Sequence, residues 1–227
     1  MPGAFGRPIR LVTFDLDDTL VDTFGTIPER VKFTYDYATQ ELGIATPQLS
    51  RDEVVALVMD GHPNERPDNL LRGLGLRRDH HLMRHVSEAY GKLTLDLLRP
   101  IAGAVEVLAE IASRYAVAVI TNGEDALQRE KLGVCGLAGL TPVVLTSGGV
   151  GIRKPDARIF RMACEATGVG AEYAVHVGDS PESDIAGAKG AGLAAVRLRN
   201  AVPHPEPEGL PAADAVISDL RELLRLL

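Results

Sequence analysis

Short apolar runs that stop at polar or glycine residues recur along this chain. Ile9 to Phe14 is apolar at Leu11, Val12 and Phe14 and ends in the acidic cluster Asp15-Leu16-Asp17-Asp18-Thr19. Similar runs follow at Val117 to Ile120, ending at Thr121-Asn122-Gly123, at Val143 to Leu145, ending at Thr146-Ser147-Gly148, and at Ala174 to Val177, ending at Gly178-Asp179-Ser180. A strand with one wet face alternates apolar and polar positions, whereas these runs do not, so they predict a parallel sheet covered on both faces. Helical spacing fills the intervals at Ala104 to Ser113, Ala126 to Leu132, Asp156 to Thr167 and Glu182 to Lys189. Strand alternating with helix predicts an α/β fold built on a Rossmann-like, doubly wound parallel sheet.

Residues 22–98 break that rhythm. Glu29 to Leu42, Arg51 to Met59 and His80 to Leu98 have the periodicity of amphipathic helices, separated by turns such as Gly61-His62-Pro63-Asn64, and show no buried strand. The pattern predicts a Rossmann-like core of residues 1–21 and 99–227, with residues 22–98 inserted after the first strand as a helical cap. Ligands of open α/β sheets lie outside the carboxyl ends of the strands, so an insertion leaving from there would cover the site. Pro203, Pro205, Pro207 and Pro211 mark an irregular loop, after which Ala213 to Ile217 is expected to add a short strand.

Composition narrows the partners. At 227 residues with 45% hydrophobic positions the chain can bury a sizeable core, which excludes a disordered chain or a disulfide-stapled miniprotein. The net charge of -7 argues against a nucleic-acid polymer, which needs a concentrated basic face; an anionic ligand would need its cation supplied locally. Cys135 and Cys164 lack metal-ligand spacing and read as buried, reduced thiols. Arg7, Arg10 and Asp15 interrupt the start of the chain, and no later run approaches a membrane span, so cytoplasmic residence without a membrane partner is expected.

The predicted strand ends carry a coherent set: Asp15 with Asp17, then Thr121-Asn122, then Lys154, then Asp179 with Asp184. In this order, Asp15-Leu16-Asp17-Asp18-Thr19-Leu20, Thr121-Asn122-Gly123, Lys154-Pro155-Asp156 and Gly178-Asp179-Ser180 with Asp184 resemble the four motifs of the haloacid dehalogenase-like hydrolase superfamily. The resemblance spans the predicted core. The insertion matches in position and helical character only.

These residue types suit phosphoryl transfer on chemical grounds as well. A carboxylate can attack phosphorus to give an aspartyl-phosphate, dividing hydrolysis into two easier displacements. The attacking carboxylate and a phosphate dianion repel each other, by on the order of 5 kcal/mol per pair of unit charges at about 3.5 Å and an effective dielectric near 20. Magnesium on hard oxygen ligands and a lysine ammonium are suitable sources of positive charge.

The resemblance implies Asp15 as nucleophile and Mg2+ ligand. It implies that Asp17 places its backbone carbonyl on the metal while its side chain protonates the leaving oxygen and later deprotonates water. Thr121 and Asn122 would bond the phosphoryl group, Lys154 would neutralise it, Asp179 would ligate the metal, and Asp184 would orient a metal ligand or metal-bound water. Ser180 and Pro181 read as N-cap and first helical residue, which places Asp184 in the opening turns of its helix.

The expected activity is magnesium-dependent hydrolysis of a small phosphate monoester, a small phosphorylated metabolite being the partner. The alternatives are a phosphomutase of the same superfamily, a 2-haloacid dehalogenase, and a non-catalytic phospholigand-binding module. The dehalogenases that the chain resembles lack the acid–base aspartate, so Asp17 points away from them; substrate identity and oligomeric state stay open.

Other signals are weaker. Asp18 reads as a turn former, because relatives commonly carry glycine there. His81 and His85 have helical i, i+4 spacing but no third ligand, and read as a solvated face. His176 reads as a hydrogen-bonded core histidine. Gly148 to Lys154 is not a P-loop, because Pro155 stands at the Ser/Thr position. Its glycines, standing where many relatives have acidic residues, are expected to loosen the approach to Lys154. No single arginine of the insertion and neither Lys32 nor Lys92 stands out as a functional cation.

Overall fold

Leu11–Phe14 (β1), Ala116–Thr121 (β2), Val143–Thr146 (β3), Ala174–Gly178 (β4), Ala194–Leu198 (β5) and Ala215–Ile217 (β6) pair in parallel, in the order β3-β2-β1-β4-β5-β6. The computed structural model describes residues 5–44, 47–61, 65–78, 80–204 and 208–227. The expected turn at His62-Pro63-Asn64, together with Pro205 and Pro207, lies outside these residues, as does the side chain of Lys92. β1 is central and wholly buried, and its Phe14 is level with Val119 of β2 and Val177 of β4. The segments leaving these strand ends therefore start from one level beside the switch in strand order, where open α/β sheets bind ligands.

The chain forms two compact units. Met1–Asp22, Arg99–Val202 and Glu206–Leu227 make the first; Thr23–Leu98 with Pro203–Pro205 make the second. In the first, Ala104–Ala112 (α6), Asp125–Val134 (α7), Ser147–Val150 (α8), Ala157–Thr167 (α9) and Gly187–Ala191 (α10) accompany the sheet. Its core includes Leu11, Ile120, Ile159, Phe160 and Ala195. In the second, Ile27–Gln40 (α1), Arg51–Asp60 (α2), Arg66–Gly73 (α3), Met83–Lys92 (α4) and Thr94–Leu97 (α5) bury Ile27, Val31, Val54, Val58, Leu70 and Val86. Side chains fix several helix starts: Glu53 accepts the Ser50 amide at 2.8 Å before α2, and Asp156 accepts the Arg158 amide at 2.9 Å before α9. No helix among the described residues is long and apolar enough to cross a membrane.

Several sequence expectations need correction. β5 was not anticipated, because its alanines, Ala194 and Ala195, give a weak strand signal until the neighbouring β4 supplies a pairing edge. β3 is half-buried at Val143, Val144 and Leu145, since it is an edge strand paired only with β2. α3 was missed. The stretch His80 to Leu98 is not one helix but two, α4 and α5, divided at Leu93. Pro181–Ala186 is a π-helical turn leading into α10 rather than the start of a single helix.

Candidate active site

Asp15 follows directly on β1, and its amide donates to Val177 O of β4 at 2.9 Å. Asp179 follows directly on β4, and Asp184 comes from the π-helical turn. Ser180 caps that turn by accepting the Ser183 amide at 3.1 Å, while the Ser180 amide donates to Asp184 Oδ2 at 3.0 Å. The turn thereby bends back so that carboxylate oxygens of Asp15, Asp179 and Asp184 all lie within 4.8 Å of one another, each residue buried. Gly178 makes this possible: a Cβ there would stand 2.5 Å from Asp184 Oδ2.

Lys154 reaches the trio from the loop between α8 and α9. Its ammonium donates to Asp184 Oδ1 at 2.7 Å and to Asp15 Oδ1, with only 3% of the residue exposed. The Asn122 side chain clamps the Lys154 backbone, accepting its amide at 2.9 Å and donating to its carbonyl at 3.1 Å. His176 is fully buried in β4, with Nε2 3.2 Å from Asp184 Oδ1 and Nδ1 2.8 Å from Thr13 Oγ1. Burial pushes the imidazole toward its neutral form. A neutral ring between these partners donates from Nε2 to the carboxylate and accepts at Nδ1 from the hydroxyl.

The titrations of Asp15 and Asp184 diverge. Burial pushes Asp15 well above the usual carboxylate range; Asp184 and Asp179 add to that and Lys154 opposes it. Burial acts the same way on Asp184, but Lys154 and then His176 outweigh it and hold that carboxyl well below its ordinary value. Lys154 stays charged because Asp15 and Asp184 outweigh its own burial. With His176 neutral, one ammonium faces three buried carboxylates. This set of hard oxygen donors, buried and within 4.8 Å of one another, fits a divalent cation such as magnesium, which Asp15, Asp179 and Asp184 would hold and whose charge would favour their ionised forms.

Asp17 lies apart from this trio. Its carboxylate is 27% exposed and turns toward α7, where Lys131 Nζ donates to Oδ1 at 2.6 Å and Gln128 Nε2 to Oδ2 at 2.8 Å. Gln128 also donates to Thr121 Oγ1 at 2.6 Å, at the end of β2. Asp18 sits in the left-handed region at φ +62°, accepting at its carbonyl from Asn200 Nδ2 at 2.6 Å, as suits a turn former. Asn200 also donates to Asp179 Oδ2 at 3.2 Å, and Thr19 Oγ1 to Asp15 Oδ2 at 3.4 Å.

Gln128, Lys131, Asn200 and Thr19 were not singled out from the sequence. Gln128 and Lys131 left a readable trace, since they fall on the helix face that Leu132 marks as inward; Asn200 left none. Gly148 and Gly149 pack closely on their surroundings. A Cβ at Gly148 would stand 2.9 Å from Gly123 O, so glycine lets this turn pack tightly on the loop after β2. His81 and His85 are exposed, and Cys135 and Cys164 are buried free thiols.

Residues 9–192 match the family model of the haloacid dehalogenase-like hydrolases. Over 117 residues the chain is 49% identical to phosphoserine phosphatase of Thermus thermophilus, a match covering 51% of this chain and 46% of that enzyme, so the similarity spans less than half of that relative. It is 30% identical over 231 residues to glyceraldehyde 3-phosphate phosphatase of Methanothermobacter thermautotrophicus, covering 96% of this chain and 100% of that one. Among solved structures, a 2-haloacid dehalogenase of Pseudomonas syringae superposes with a TM-score of 0.65 at 29% identity, over 96% of this chain and 97% of the other.

Proposed function

The chain belongs to the haloacid dehalogenase-like hydrolases, and from that premise we propose that it is a magnesium-dependent phosphatase that hydrolyses a small phosphate monoester through Asp15. The observation that carries this reading is the division of labour between two neighbouring carboxylates. Asp15 is buried against Lys154 among potential cation ligands, while Asp17 is held outside them by donors from α7.

In the first step Asp17, which takes up a proton as substrate binds, gives it to the leaving oxygen while an Asp15 carboxylate oxygen attacks phosphorus and the bond from phosphorus to the leaving oxygen breaks. In the second, Asp17 takes a proton from water, whose oxygen attacks phosphorus; the bond to Asp15 breaks and inorganic phosphate leaves. Such proton transfers contribute about 10²–10⁴-fold to rate. Asp15, Asp179, Asp184 and the Asp17 backbone carbonyl would hold a divalent cation, which would supply positive charge to the nucleophile and the transferring oxygens. Lys154 neutralises the phosphoryl group from the protein side, Thr121 donates its hydroxyl to a phosphoryl oxygen, and Asn122 keeps the Lys154 segment in register.

Phosphate release tests this reading, measured on phosphoserine, glyceraldehyde 3-phosphate, a nucleoside monophosphate and p-nitrophenyl phosphate, with magnesium and with chelator. Magnesium-dependent release that Asp15→Asn abolishes is expected. Retained turnover in that variant would overturn the covalent route, and chloride release from a 2-haloacid without phosphate release would move the assignment to dehalogenation. Isomerisation of a sugar phosphate without net phosphate release would indicate a mutase.

A further inference from the structure

Gln128 and Lys131 stand one turn apart on α7 and share a face. Both are polar, yet they are 1% and 5% exposed, so this helix turns a polar pair inward where an apolar one would pack at less cost. A buried ammonium is tolerated when it is paired and hydrogen-bonded. Here the partner is Asp17, whose Oδ1 accepts from Lys131 at 2.6 Å and whose Oδ2 accepts from Gln128 at 2.8 Å. One bond would leave the carboxylate free to turn about it; two bonds from one rigid helix fix both its position and the orientation of its plane.

Gln128 does more than hold Asp17. A carboxylate only accepts, so the amide nitrogen, not the amide oxygen, must face it. That nitrogen carries two hydrogens, and the second goes to Thr121 Oγ1 at 2.6 Å. Thr121 is then an acceptor from Gln128, and its own hydrogen can be donated to a phosphoryl oxygen. One side chain thereby ties the orientation of the proton-transfer group to that of a phosphoryl donor on the neighbouring strand.

We propose that Lys131 and Gln128 are positioning residues for the Asp17 carboxylate, and that Gln128 sets the donor direction of Thr121. This rests on the reading of Asp17 as the acid–base group. Neither residue touches the reacting atoms. Their work is to keep Asp17 at the angle from which it reaches the leaving oxygen.

The test compares kcat/KM for phenyl phosphate and p-nitrophenyl phosphate at saturating magnesium. Nitrophenolate departs as a stable anion. Phenolate, whose conjugate acid resembles tyrosine with a pKa of about 10, leaves far better with a proton. Asp17→Asn is expected to lose about 100-fold or more on phenyl phosphate and only a few-fold on the nitro compound, within the range of general acid catalysis. Lys131→Met should reproduce that selectivity with a loss of about 10-fold or more on phenyl phosphate, Lys131→Arg should recover part of it, and Gln128→Met should show the same pattern more weakly. Added to Asp17→Asn, Lys131→Met should change the ratio no further. A crystal structure of metal-free Lys131→Met should show the Asp17 carboxylate rotated off the α7 face.

Equal losses on both esters, or a full additional loss in the double variant, would assign Lys131 a merely structural role and overturn the proposal. If Lys131→Met does not fold, Lys131→Arg and Gln128→Met carry the same comparison. If Asp17→Asn itself shows no leaving-group dependence, the acid–base reading fails and the proposal falls with it; normal dependence there without any in the α7 variants sinks the positioning role alone.

Discussion

Lys154 Nζ lies 2.7 Å from Asp184 Oδ1 and pairs on its other side with Asp15, so a single ammonium serves two buried carboxylates. Removing it strands both. Breaking a buried pair by deleting one partner typically costs about 3–5 kcal/mol, because the remaining charge is left without compensation. Lys154→Met should therefore lose about that much stability in chelator, measured by urea unfolding. Magnesium should stabilise the variant measurably, by about 2.7 kcal/mol at one hundred times its dissociation constant. A variant as stable as the parent in chelator would mean that the carboxylates are not ionised together.

A methyl group at Gly178 would strike the site directly. The Asp184 carboxyl folds back over the end of β4 into the space that a side chain at Gly178 would occupy. Gly178→Ala should push Asp184 away from Lys154 and His176 and cut phosphate release by at least about tenfold, since displacement of about 1 Å in a catalytic array can cost about 10²-fold. Wild-type turnover in Gly178→Ala would show that Asp184 is not held where catalysis needs it.

His176 gives stability a pH dependence. Burial lowers its pKa, with the Asp184 contact partly opposing, so the folded state resists protonation that the unfolded chain accepts near pH 6.5. Its contribution is present above the unfolded value and lost as pH falls below it, with a slope of at most about 1.4 kcal/mol per pH unit. Urea unfolding of the parent and of His176→Gln between pH 7.5 and pH 5.5 should show the parent losing stability more steeply; parallel profiles would contradict a neutral buried imidazole.

Asp18 holds a conformation that suits glycine. At φ +62° an L-residue carries a penalty of roughly 1–2 kcal/mol, which the hydrogen bonds of Asp18 offset; glycine escapes that penalty but loses more chain entropy on folding, so the two terms largely cancel. Asp18→Gly should keep full phosphatase activity and shift stability by less than about 1 kcal/mol in thermal melts. A large loss of activity at unchanged stability would give Asp18 a chemical role that its geometry does not show.

The sequence by itself determined the core pattern and the chemical inventory. Short apolar runs stopped by turn residues read as strands of a covered parallel sheet, and their ends named Asp15, Thr121 and Asp179. It did not reveal β5, whose alanines form a strand because β4 offers an edge, nor the exposure of β3, which depends on having one neighbour instead of two. Only tertiary structure decided that Asp184 and Lys154, 30 residues apart, would share a hydrogen bond, or that Asp17 would turn to Lys131 114 positions away. A side chain's type is written locally, but its partner is set by which strand ends and helix faces the fold brings within about 3 Å, the reach of a hydrogen bond.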